Sequence, residues 1–319
     1  MNKQNQQIVC LGGGIGTVNL IKGLRAYTKN ITVVVSMADD GGSAGRLRRY
    51  YRIPPPGDLV SCIAAMSNAD ELLKQLLTFR FSGDRYGEDH SLPGQKFGNL
   101  MLVALASITG DFGKAVAEME RIFKTSGRIL PSTTENISIW AETSVGEVVE
   151  REENIDLGRF TGTIETLHLK PENPSTSKEV ISAIEHADVI IAGPGDFYTT
   201  ILPVLLVPDI LDAIQKSKAK KLFVVNVANK IFETPKYEIN DFVSAIEKHC
   251  GSHVFDLFLV NNNTSAKIPS EFTRQYEFVL SDGIEKNGLY TIIAKDLINQ
   301  SFPLYHDSQK LAKAVYETL

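Results

Sequence analysis

The sequence predicts an α/β protein: a doubly wound, mostly parallel sheet with an inserted helical region and a small β excursion. Three observations carry this. The chain opens as strand, glycine loop, helix and strand; its strand-like runs are continuously apolar; and helically spaced segments separate the later runs. A strand covered on both faces needs no polar side, so such runs suit a parallel sheet whose crossovers are helices.

Ile8-Val9-Cys10-Leu11 is the first strand, and Gly12-Gly13-Gly14-Ile15-Gly16 follows it. Val18, Leu20, Ile21 and Leu24 then fall on one face of a helix, and Ile31 to Val35 is a β-branched second strand. Further on, Asp188 to Ala192, Lys221 to Val227 and Val254 to Val260 read as strands, with helical spacing over Ser177 to His186 and Asn240 to Lys248. Between the halves lies a helical block, about 58–124. Pro54-Pro55-Pro56-Gly57 stops the chain, and Asp58 stands where an N-cap would sit before Leu59, Ile63 and Met66. Ser67 with Asp70 has capping-box spacing before Leu72, Leu73, Leu76 and Leu77, and Phe97-Gly98-Asn99 precedes an apolar helix from Leu100 to Ile108. Residues 129–169 predict the small β excursion, with strand-prone pieces at Ile137 to Trp140 and Ile164 to His168. No repeat or linker divides the chain, so 1–319 reads as a single domain.

Composition narrows the function. With 33 basic and 38 acidic side chains the formal charge is −5, which argues against nucleic acid as the main partner. Apolar residues make up 43% and charged residues 22%, which excludes disorder and collagen. Three well-separated cysteines, Cys10, Cys62 and Cys250, build neither a zinc cage nor a disulfide framework. Met1 to Gln7 is polar and no apolar run reaches membrane-span length, so the expectation is a cytoplasmic protein without a membrane partner.

The glycine loop Gly12, Gly13, Gly14 and Gly16 with Thr17 sits where helix-start amides can meet a phosphate. Thr17 occupies the third glycine position of the dinucleotide fingerprint, and no Gly-Lys-Ser/Thr follows, so the loop matches neither that motif nor a P-loop in full. Asp39 and Asp40, just past the second strand, suit either a ribose hydroxyl or Mg²⁺; an ordinary Asp-Gly turn has the same sequence. Ser43 closes that turn. Of Arg46, Arg48, Arg49 and Arg52, Arg46 is the pick for neutralising a diphosphate. Asp58 is read evenly as helix cap or as metal ligand or base. Gly193, Gly195, Tyr198 and Thr199 form a second anion-friendly loop after a strand, and Asn226 ends the next strand with an amide able to read a base or sugar. No nucleophilic triad is visible among the six histidines and the serines.

Leu11 to Gly16, Ala38 to Leu47, Pro54 to Leu59, Phe97 to Leu100, Leu130 to Glu135 and Gly193 to Gly195 occur in that order, and together they resemble the YvcK/CofD-like family, specifically its YvcK branch of gluconeogenesis factors. The resemblance spans nearly the whole chain. It implies a Rossmann-like fold with an added helical region, and it adds Asn99 to the ligand-binding candidates. The YvcK branch implies a nucleotide-sugar-binding regulator, with UDP-N-acetylglucosamine as the type, linked to carbon metabolism and cell shape; a NAD-like dinucleotide is the other ligand it suggests. The CofD branch implies a Mg²⁺-dependent 2-phospho-L-lactate transferase acting on a deazaflavin, in which Asp39, Asp40 and Asp58 would be catalytic and Asp39 and Asp40 would hold metal. A NAD-dependent oxidoreductase is the third reading. The expected partner is thus a small nucleotide, and a homo-oligomer stays open. Lys96 stands where the branch usually shows histidine or a similar polar residue, Asp196 where serine is usual, and Asn226 to Glu233 lacks the Thr-Gln-Pro-Gly pattern often found there.

Overall fold

Every residue of β1 (Ile8–Gly12) is buried, as its unbroken apolar sequence requires of a central strand. α1 (Gly14–Leu24) leaves the glycine loop and leads to β2 (Ile31–Val35), which pairs with β1 in parallel from Ile8 against Ile31 to Gly12 against Val35. The computed structural model describes residues 5–263, 265–279 and 290–318. Helices follow: α2 (Gly42–Tyr51), α3 (Gly57–Met66), α4 (Glu71–Thr78), α5 (Phe97–Thr109) and α6 (Phe112–Phe123). The next strand, β3 (Arg128–Pro131), returns to the main sheet beside β2.

The excursion therefore begins later than position 129. It is a three-stranded antiparallel sheet of β4 (Ser138–Thr143), β5 (Val148–Glu150) and β6 (Ile164–Lys170), with α7 (Glu152–Asp156) between the last two. The chain then runs through α8 (Lys178–Glu185) into β7 (Val189–Ala192), a π-helical turn at Phe197–Ile201, α9 (Leu202–Leu205), α10 (Pro208–Lys216) and β8 (Lys220–Val224). After β9 (Ala228–Lys230) come α11 (Ile239–Cys250), β10 (Leu257–Asn261), β11 (Tyr276–Phe278), β12 (Thr291–Lys295) and α12 (Ser308–Thr318). β9 and β11 form a separate antiparallel pair.

The main sheet has seven strands in the order β12-β10-β8-β7-β1-β2-β3, and all its pairings are parallel. From β1 the chain builds outward through β2 and β3, then crosses back to β7 and builds the other way. The direction of winding reverses between β1 and β7, and at such a reversal the two following loops diverge to opposite faces and leave a crevice at the carboxyl ends of the strands. Among the described residues no single helix is long and apolar enough to cross a membrane.

Two caps differ from expectation. α3 starts one residue before Asp58, whose carboxylate makes no capping bond to its own helix. α4 is capped by Asp70, which accepts from Leu73 N at 2.9 Å, while Ser67 Oγ donates to the Phe123 carbonyl and ties α3 to α6 instead.

Candidate functional site

The loops after β1 and β7 face each other across the reversal. Gly14 holds φ +63°, a left-handed conformation that glycine adopts without strain. Gly16 permits a close approach: a Cβ there would lie 2.7 Å from the Pro194 carbonyl carbon and closer still to its oxygen. Thr17 is buried behind this contact, with Oγ1 3.5 Å from the Pro194 carbonyl oxygen, so it locks loop to loop and does not face a ligand. Between them lies a cleft of about 260 Å³. Gly13, Gly14, Ile15 and Gly16 form one wall and Pro194, Gly195, Asp196 and Thr200 another; Asn226, Val227, Ala228, Tyr276, Leu304, Tyr305 and His306 complete it. Gly12 and Gly193 lie behind the lining, at the strand ends.

The first turn of a helix offers amides with no intrahelical acceptor, and here they belong to α1. Asp58 takes one of them, accepting from Gly14 N at 2.8 Å. This carboxylate, offered from the first turn of α3, is thus a component of the glycine loop. Burial raises its pKa, the Gly14 amide and Lys96 pull it back, and Asp196 raises it again. Lys96 sits close by, with Nζ 3.2 Å from Ser61 Oγ, and burial lowers its own pKa.

The adjacent aspartates Asp39 and Asp40 separate. Asp40 is buried and fully engaged: Oδ2 receives Arg151 Nε at 3.2 Å and Oδ1 receives Glu153 N, in the first turn of α7, at 3.0 Å. It docks the β excursion, and it is corrected here from metal ligand to anchor. Asp39 makes an Asx turn through Oδ1 to Gly41 N at 2.9 Å. Burial and the nearby charge of Asp58 push its carboxyl up to about 7. Asp39 thus feels the carboxylate of Asp58, 19 positions away in sequence, more than that of its neighbour Asp40. Glu152 adjoins them, raised well above the usual range by burial and then by Asp39.

Arg46 departs furthest from expectation. It is 1% exposed, and its guanidinium donates to the Glu88 carbonyl (2.9 Å), Ser91 Oγ (2.8 Å) and the Pro93 carbonyl (2.6 Å). Those donors are spent on folding the 84–94 loop, so Arg46 is not available to a diphosphate. Ser43 is buried and accepts from Arg80 at 3.0 Å, in the same support. Arg85 of that loop packs against Gly42 and pulls down the Asp39 pKa, which makes it a cation of this corner that sequence spacing did not single out. Asn99 is buried in the first turn of α5, its Oδ1 without a partner among the described residues, and it does not line the cleft.

On the second loop, Asn226 clamps Gly195 from both sides, accepting from its N at 3.0 Å and donating to its O at 2.8 Å. It shapes the loop while lining the cleft. Tyr198 and Thr199 turn inward. Glu233 accepts from Tyr198 N at 3.0 Å and from Thr199 Oγ1 at 2.7 Å, and the Tyr198 hydroxyl meets that of Tyr237 at 2.8 Å. Thr200 is the hydroxyl residue on the wall. The charge that Asp196 brings to this loop is answered by Lys230, which bridges Asp196 (3.4 Å), Glu233 (3.9 Å) and Asp156. Oxygens of those three carboxylates lie within 4.8 Å of one another, a metal-like spacing that the Lys230 ammonium already serves. Burial pulls the Lys230 pKa down, but Asp196, Glu233 and Asp156 carry it above its ordinary value.

This arrangement has relatives. A family model described as 2-phospho-L-lactate transferase CofD matches residues 8–298. The chain belongs to the CofD family. Within it, a protein of Aquifex aeolicus is 39% identical, covering all of this chain and 98% of that one. The protein of Bacillus subtilis named gluconeogenesis factor is 36% identical over 99% of both chains. A crystal structure of a UPF0052 family member from Bacillus halodurans superposes with a TM-score of 0.90 at 34% identity, covering 97% of this chain and 98% of that one. The resemblance read from the ordered motifs and the Rossmann-like α/β fold both stand on these matches. The gluconeogenesis-factor names place this chain beside the YvcK side of the family.

Proposed function

We propose that the protein is a regulatory binder of a nucleoside diphosphate sugar, of the UDP-N-acetylglucosamine kind, seated in the cleft between the β1 and β7 loops. One observation carries the reading: two glycine loops meet across the reversal of a doubly wound sheet, where main-chain amides and helix dipoles favour a diphosphate. The branch names support a link to carbon metabolism.

Asp39 and Asp58 are the carboxylates of this corner that would hold Mg²⁺. Hard carboxylate oxygens are its ligands of choice, and the burial and nearby Asp58 charge that raise the pKa of Asp39 are what a divalent cation offsets. Bound there, the ion would supply charge neutralisation for a diphosphate. A second reading, a CofD-type Mg²⁺-dependent transferase, is favoured by the family description and by the same pair. Incubation with UDP-N-acetylglucosamine and Mg²⁺ separates the two: the binder returns the ligand intact, whereas Mg²⁺-dependent product from a deazaflavin and a phospholactyl donor would establish the transferase.

Asp39→Asn tests the pair without any nucleotide. A carboxyl whose folded pKa is raised keeps its proton in the native state while the unfolded chain loses it, so stability falls as pH rises from about 4 to 7. Without metal the variant escapes that loss and is more stable than the parent at pH 8, by about 1–2 kcal/mol, with little difference near pH 4. Millimolar Mg²⁺ should raise the Tm of the parent and leave the variant unmoved. An equal rise in both would remove Asp39 from the metal site.

A further inference from the structure

The β7 loop brings a negative charge to the cleft that nothing else in the lining answers. Among the described residues that line the cleft, Asp196 is the one acidic side chain, and no lysine or arginine lines it. A diphosphate seated there leans on main-chain amides and the α1 dipole, and a carboxylate beside it repels it. Some other part of the ligand has to answer Asp196.

The side chain is both open and held. It is 41% exposed, and Oδ2 receives Lys230 Nζ at 3.4 Å. Oδ1 accepts no hydrogen bond among the described residues. Lys230 does not line the cleft, so it answers the carboxylate from behind and leaves the cleft side to the ligand. Burial raises the Asp196 pKa, and Lys230 draws it back towards the ionised form. The main chain is fixed on both sides. Asn226 grips the N–H and the carbonyl of Gly195, and Thr200 N and Ile201 N donate to the Asp196 carbonyl at 2.9 and 3.0 Å. An ionised carboxylate only accepts, so the group that suits it is a neutral donor, and hydroxyls are the donors that flank a diphosphate in a nucleotide sugar. A few fixed polar groups in such a cleft set orientation and specificity.

We propose that Asp196 reads the saccharide of the bound nucleotide, its free carboxylate oxygen accepting a hydrogen bond from a hydroxyl of the ring beside the diphosphate, the hexose or the ribose. This rests on the nucleotide-sugar reading above. It makes the cleft selective for a neutral, hydroxyl-bearing ring. A ring without the hydroxyl leaves the carboxylate unpaired, and an acidic hexose sets a second carboxylate against it with no cation in the lining.

The test is calorimetric titration at pH 8 with UDP-glucose, UDP-glucuronate, UDP and 2′,3′-dideoxy-UDP. If the hexose meets Asp196, the parent binds UDP-glucose at least about tenfold more tightly than UDP-glucuronate. If the ribose does, it binds UDP at least about tenfold more tightly than the dideoxy analogue. In Asp196→Ser and Asp196→Ala that preference should shrink to within about threefold. Both variants leave Lys230 beside Asp156 and Glu233, and serine is the usual residue here in the branch; circular dichroism checks their folding. A parent with neither preference would overturn the role of Asp196 whatever the variants do, while leaving nucleotide binding intact. So would a folded variant that keeps the parental preference. No binding of UDP or UDP-glucose at all would overturn the nucleotide reading itself.

Discussion

Alanine at Gly16 is expected to weaken binding of UDP-N-acetylglucosamine by at least about a hundredfold and to lower the Tm by several degrees, with the circular dichroism spectrum unchanged. The added Cβ would stand 2.7 Å from the Pro194 carbonyl carbon and 3.1 Å from Gly195 N, where ordinary contact begins at 3.4 Å. These neighbours are main chain, so no rotamer change relieves the clash. The second loop cannot yield cheaply either, since Asn226 grips both the N–H and the carbonyl of Gly195. The loops must part by something near 1 Å, and a displacement of about 1 Å at a positioning site is enough for a hundredfold loss. Isothermal titration alongside thermal unfolding checks both halves; parental affinity in the variant would show that the contact of the loops does not shape the site.

The second large effect is expected from Lys230→Met. Its ammonium bridges Asp156, Asp196 and Glu233, and Glu233 is 1% exposed. Methionine keeps the aliphatic length but leaves three neighbouring carboxylates with no cation among them. Removing one partner of a buried ionic group costs about 3–5 kcal/mol. The loss should depend on pH in a definite sense. Burial and Asp196 already push the Glu233 carboxyl up to about 8 with Lys230 in place, and because Lys230 pulls both Glu233 and Asp196 down, those two carboxyls move higher without it. A raised carboxyl binds its proton more tightly folded than unfolded, so the stability deficit is full above the folded pKa and shrinks as pH falls towards 4. Unfolding of the variant at pH 5.5 and pH 8.5 should show the smaller deficit in acid; a deficit independent of pH would mean that Lys230 contributes by packing alone.

These two residues mark where sequence reading succeeds and where it stops. β1 and β2 were legible because a strand buried on both faces writes itself as an unbroken apolar run, and the glycine loops were legible because each follows such a strand directly. β3 was missed as a main-sheet strand: it is four residues long and begins with the exposed Arg128. β12 was missed for a related reason, having exposed ends and only one buried residue. Within the site, Asp39 and Asp40 are chemically identical neighbours. The choice between them is made by α7, which docks its Glu153 amide on Asp40 across a sequence separation of 113. Arg46 looked like a phosphate ligand because its acceptors lie 42 to 47 positions away, in a loop without any periodic signal. Lys230 and His306 reach the site from β9 and from the segment after β12, and no local pattern links them to the glycine loops. Local sequence encodes elements; which side chains are spent on holding elements together is settled by contacts between distant ones.

The proposed seat of the nucleoside diphosphate sugar is the cleft between the β1 and β7 loops. Calorimetric titration of the unmodified protein with UDP-N-acetylglucosamine, with and without Mg²⁺, tests it most directly. Saturable one-to-one binding in the micromolar range that tightens with Mg²⁺ is expected, with the ligand recovered unchanged. No heat and no shift in Tm at millimolar nucleotide, whether Mg²⁺ is present or absent, would contradict it.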